Sequence, residues 1–163
     1  MHNLPKVSGI ATAIAFAGFA PSAVAQEINY TWACLEVGSG TPEMLGDREG
    51  HSISIAVASC RSESEPMSGA VLTGTSIWEW NGPNAVLLTG NGVIRKPGAA
   101  VVYQNTGGTL ALTMTDGKVT GWTSSGKGAE MMATGSLAAL AGKPYTWTAK
   151  PTGPGQFTIE VKQ

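Results

Sequence analysis

The sequence predicts an all-β chain, a single antiparallel up-and-down β-barrel of about eight to ten short strands. Three observations carry that expectation. Runs of alternating residue types recur from residue 28 to residue 162, and Gly, Pro, Asn and Asp punctuate them at short intervals. Only residues 136–140 leave room for a helical turn, and that stretch is too short to carry more. Charged residues are few, 10 Lys and Arg against 11 Asp and Glu in 163 residues, and their net charge of −1 shows no basic cluster. Phosphate binding draws on clustered Lys and Arg, so no nucleic-acid partner is expected.

Residues 1–25 read as an export signal. Lys6 gives a small positive start, residues 7–20 form an apolar run, and Ala23, Val24 and Ala25 supply a small-x-small cleavage site. The run is shorter than the roughly twenty residues a membrane span needs, and Pro21 follows it. The expected mature protein is one domain, residues 26–163, periplasmic or secreted, with no membrane span. No twin arginine precedes the run and no cysteine follows the cut, so neither a folded-export route nor a lipid anchor is indicated.

Strands follow in order. Residues 28–37 alternate Tyr30, Trp32 and Cys34 against Thr31, Ala33 and Leu35, and Gly38, Ser39 and Gly40 end them. Residues 51–60 alternate Ile53, Ile55 and Val57 against Ser52, Ser54, Ala56 and Ala58. A polar loop closing on Pro66 comes next. Further strands are expected at 70–80, 85–95, 99–106, 109–115, 118–123, 129–135, 144–149 and 156–162. Their turns are Asn81 to Asn84, Lys96 to Gly98, Gly107 and Gly108, and Asp116 and Gly117, the last a strong hairpin signal. So many short strands leave a sandwich or a closed barrel. Stretches apolar on both faces, Ala85 to Leu88 and Ala99 to Tyr103, favour a barrel whose outside is partly covered by its termini or a sister subunit.

Cys34 and Cys60 are the only cysteines, and in an oxidising compartment they read as one disulfide. A tight hairpin of the first two strands would put Cys60 opposite the start of the first strand and miss Cys34. Either the connection is long and the strands are staggered, or they are neighbours of another kind. Two sulfurs and one histidine after the cut make a poor ligand set, so no metal is expected, and no cofactor signature is present.

Two places look reactive. His51 follows Asp47, Arg48 and Glu49, and a carboxylate can orient one imidazole nitrogen while the other takes a proton. A solvated charged loop leading into a strand is the plainer reading of the same residues. Glu79 lies between Trp78 and Trp80 and shares its face with Ile77, Thr75 and Thr73. Facing inward, it would have a raised pKa and serve as an acid or base; facing outward, it is a solvated strand-end carboxylate. Trp32, Trp78, Trp80, Tyr103, Trp122 and Trp147 spread over many strands, where they either fill a core or line a pocket for an apolar or flat ligand.

The later part of the chain carries glycines at Gly117, Gly126, Gly128, Gly135 and Gly142, and then Thr152 to Glu160 with Gly153, Pro154 and Gly155 before Phe157 and Ile159. This glycine pattern resembles that of the allene oxide cyclase-type, calycin-like small β-barrels, a group that includes small bacterial proteins of unassigned role. The resemblance implies an eight-stranded barrel with an apolar cavity and a capacity to oligomerise. No motif here matches the plant enzymes' catalytic residues, so it carries over no activity. The leading expectation is an exported barrel that binds an apolar or aromatic small molecule. Two alternatives stand beside it: an isomerase or cyclase using Glu79 or His51 in a barrel cavity, and a secreted interaction or inhibitor protein without a cavity.

Overall fold

The computed structural model describes residues 27–39 and 41–163. The expected signal segment and its cleavage site lie outside the described residues. Among the described residues the chain forms nine strands: β1 (Asn29–Ser39), β2 (Glu43–Met44), β3 (His51–Arg61), β4 (Val71–Asn81), β5 (Asn84–Lys96), β6 (Ala99–Thr115), β7 (Lys118–Ala133), β8 (Pro144–Gly153) and β9 (Gln156–Lys162). One 3-10 helix, Gly135–Leu140, joins β7 to β8, where the sequence left room for a helical turn.

Eight of these strands close into an antiparallel barrel. Each of β3 to β9 pairs with its predecessor or successor in the chain, and β1 closes the ring by pairing with both β9 and β3. The short β2 lies outside the ring, against the start of β3. Closure leaves no free ladder edge among the eight, which is the advantage a barrel has over an open sheet.

The β1–β3 pairing resolves the cysteine question. Cys34 stands directly opposite Cys60 with Cα atoms 4.0 Å apart, and the two form a disulfide. The strands are staggered. Ser39, at the end of β1, faces Ala56, so β3 begins well beyond it and the connection carries β2 on the way.

Two expected breaks are not breaks. Gly107 and Gly108 sit inside the continuous strand β6, and Gly126 to Gly128 inside the continuous strand β7. Gly108 and Gly126 face each other across the ladder, and the indole of Trp147 lies against both. A Cβ on Gly126 would stand 2.6 Å from that ring, and one on Gly108 2.9 Å. These glycines are there for close approach rather than for turning. The Asp116–Gly117 turn does form the hairpin, with φ of 51° and 73° and Thr115 paired to Lys118.

Alternation sends Tyr30, Trp32 and Cys34 of β1, Trp78 of β4, Leu87 and Ile94 of β5, Tyr145 and Trp147 of β8 and Val161 of β9 into one buried cluster. In β3 the inward face is the one with Ser54, Ala56 and Ala58; Ile55 points outward and is 48% exposed. The small residues of β3 leave room inside for the rings of other strands. Outside, Val86 is 54% and Leu88 52% exposed, so no described part of the chain covers the apolar outer face of β5.

Candidate functional site

One end of the barrel is shut. The β3–β4 loop buries Ser62, Met67 and Ala70 there, and the 3-10 helix adds Leu137 and Leu140. Ser62 donates from its hydroxyl to the Thr31 carbonyl at 2.8 Å, tying the loop to β1. The other end carries the tight turns between β4 and β5, β6 and β7, and β8 and β9. Trp80, Leu110, Leu112, Trp122 and Phe157 near that end are only half-buried, which makes it the mouth.

Between the two ends lies a cavity of about 460 Å³. That size is in the range of small-molecule sites. Trp32, Trp78, Trp80, Tyr103, Trp122 and Trp147 all line it, together with Leu72, Ile94 and Ile159. Polar anchors hold two of the indoles in place: Trp78 donates to Ser76 Oγ at 2.9 Å and Trp80 to Ser54 Oγ at 2.8 Å. Trp122 packs edge-on against Phe157 with ring centroids 5.7 Å apart, and Tyr30 against Trp32 at 6.0 Å. The Nε1 of Trp147 is buried with no protein partner.

At the shut end a carboxylate faces this aromatic space. Glu130 of β7 is 1% exposed and lines the cavity. Its Oε1 accepts a hydrogen bond from the Tyr30 hydroxyl at 2.7 Å, with Gln163 Nε2 further off at 3.5 Å; its Oε2 has no partner. Burial pushes the Glu130 pKa up, against the smaller lowering effect of the Tyr30 hydrogen bond. Burial, with the Glu130 charge added, also pushes the hydroxyls of Tyr30, Tyr103 and Tyr145 above their ordinary range. The three therefore stay neutral hydrogen-bonding groups around the carboxyl.

The sequence does not single out Glu130, although one signal for it exists. Trp122, Ser124, Gly126, Gly128 and Glu130 alternate without a break, so a continuous β7 turns all five the same way. Reading Gly126 and Gly128 as an interruption hides that register.

His51 and Glu79 do come together, but on the outer wall. Glu79 pairs with Ile53 of β3 and Val86 of β5 on the face opposite Trp78 and Trp80, and neither Glu79 nor His51 lines the cavity. The His51 side chain is 7% exposed, enclosed by the loop that leads from β2 into β3. Its Nδ1 meets Asp47 Oδ1, and its Nε2 meets Glu79 Oε1 at 2.8 Å. Arg48 pairs with Asp47 at 2.9 Å and approaches Glu79 at 3.7 Å. The hydrogen bond to Asp47, then that to Glu79, raises the His51 pKa, while the bond to His51 lowers that of Asp47. A ring with a carboxylate at each nitrogen is held as a double donor, so neither nitrogen is free to accept a proton. The cluster clasps the loop onto β3.

Among the described residues, no group of three or more His, Cys, Asp or Glu is placed to hold a metal ion, and no helix is long and apolar enough to cross a membrane. Compared with known proteins, the chain matches no family model, no curated protein and no solved structure. The fold is a closed eight-stranded antiparallel barrel, consistent with calycin-like or similar small β-barrels.

Proposed function

We infer that the protein is an exported small β-barrel that binds an apolar or aromatic small molecule inside the barrel. One observation carries this reading: a cavity of about 460 Å³ lined by five indoles and closed at one end. Export rests on the signal pattern of residues 1–25, and an intact mass beginning at Gln26 in periplasmic material would support it. The exposed Val86 and Leu88 give a sister subunit a surface to cover.

Binding is tested with naphthalene. It should quench tryptophan emission saturably and raise the melting temperature, because a ligand held only by the folded state stabilises it by mass action. Neither response across a panel of apolar probes would end the reading.

A second reading, an isomerase or cyclase, is favoured by a carboxyl group among the residues that line the cavity, one of its oxygens buried without a partner. Glu130, rather than Glu79 or His51, would be the group in reach of a bound substrate. Under that reading Glu130→Gln abolishes turnover while naphthalene still binds. The cavity speaks against an interaction protein whose core is packed solid.

A further inference from the structure

The cavity has one chemical asymmetry. Among the described residues that line it, Glu36 and Glu130 are the only charged ones, and both are acidic. Glu36 lies exposed on β1, while Glu130 is at the shut end with Oε2 unpartnered. No Lys, Arg or His side chain lines the space to neutralise it. An ionised carboxylate shut away from water is costly unless a cation and hydrogen-bond donors meet it. Tyr30 supplies one donor, to Oε1. The protein supplies none to Oε2.

A ligand can supply both. The aromatic walls attract a cation as well as an apolar ring, because the faces of Trp and Tyr are negative. An ammonium group entering along them would reach Glu130 with its N–H groups as donors. The carboxylate is already desolvated in the free protein, so that part of the cost of forming the pair is met by folding rather than by binding.

The geometry points to an aromatic or aliphatic amine as the ligand, with its apolar body among the indoles and its ammonium group paired with the buried Glu130 carboxylate. This deepens the binding reading above and rests on it. A carboxylic acid is the ligand the site excludes, since it would bring a second negative charge into a space without a cation.

Four probes of matched shape test the assignment: naphthalene, 2-naphthylmethanol, 2-naphthylmethylamine and 2-naphthoate, each titrated against tryptophan emission in the full mature protein. The amine should bind roughly tenfold tighter than naphthalene, and the acid weakest of the four. Glu130→Gln should bring the amine down to the level at which the same variant binds naphthalene. In the wild type, amine binding should strengthen as pH rises through the raised Glu130 pKa, because the ionised carboxylate is the partner. The groups facing Glu130 are Tyr30 on β1, Tyr103 on β6, Tyr145 on β8 and the Gln163 amide, and none of them gains a charge in that window. Naphthalene binding should be flat with pH.

Each other outcome overturns the amine. Equal binding of naphthalene and the amine would leave a cavity that selects no charge. Equal binding of the alcohol and the amine would make the end group a neutral donor. If no probe binds saturably, the binding reading fails and the amine with it. Should Glu130→Gln not fold, the wild-type ranking and its pH profile decide the matter.

Discussion

Glu130 and His51 are both nearly shut off from solvent, yet they lie on opposite sides of the barrel wall and are satisfied in opposite ways. Outside, each nitrogen of His51 has a carboxylate, and Arg48 balances the acidic pair. Inside, Glu130 has a tyrosine on one oxygen and nothing on the other. A polar network with every member partnered holds structure together. A buried polar atom left without a partner is a cost that the protein's own side chains do not offset. The residues that look most reactive in sequence, grouped around Asp47 to His51, therefore form a clasp, and the charged group buried in the cavity wall is a lone glutamate.

The largest expected effect comes from the wall that both regions share. β3 carries His51 at its start and Cys60 near its end, and the bridge to Cys34 fixes its register. Cys34→Ser with Cys60→Ser should lower stability by about 3 to 4 kcal/mol in urea unfolding, from the loop closure lost in the unfolded chain. No loss would mean that the barrel seam holds without the bridge.

A smaller effect is expected inside. The Glu130 pKa is raised in the folded state, so its favourable contribution is full below the ordinary carboxylate range and is lost as pH rises through the raised value. The melting temperature of the unliganded protein should fall across that window, and Glu130→Gln should flatten the fall. A variant that melts lower than wild type at neutral pH would show that the charge is matched by something in the protein, and would break the contrast with His51.

The smallest effect is expected outside. The His51 pKa is also raised, so its contribution is complete below the ordinary value of 6.5 and is lost as pH rises through the folded value. His51→Gln should therefore lower the melting temperature at acidic and neutral pH and converge on wild type in alkali. Protease cleavage within residues 45–50 should quicken, because the clasp over that loop is gone. Naphthalene affinity should not change. A drop in affinity would join the two regions that the structure keeps apart.

Much of the barrel is legible in the chain. The alternation in β1 and β4 groups Trp32 with Tyr30 and Cys34, and Trp78 with Trp80, on faces that the fold turns inward, and the Asp116–Gly117 hairpin stands as read. The Cys34–Cys60 bridge is legible as the pairing of the only two cysteines, while its register is not, because the pairing of β1 with β3 depends on the 39–51 connection. Alternation in β3 sorts Ile53, Ile55 and Val57 from Ser54, Ala56 and Ala58, but it does not say that the small face turns inward. That choice is made by the rings across the barrel, which need the space. Gly108, Gly126 and Gly128 mislead for the same reason: their role is to admit the rings of Trp147 and Tyr145, and such contacts are invisible along one strand. Glu130 is lost with them, since its inward direction is readable only once β7 is continuous.

If the interior is a binding site, it admits an apolar molecule. Crystals of the mature protein soaked with 2-bromonaphthalene test it most directly through the anomalous signal of bromine. The signal should lie inside the barrel, among Trp78, Trp122 and Trp147. Bromine found only on the outer face at Val86 and Leu88, with the interior free of it, would contradict the account.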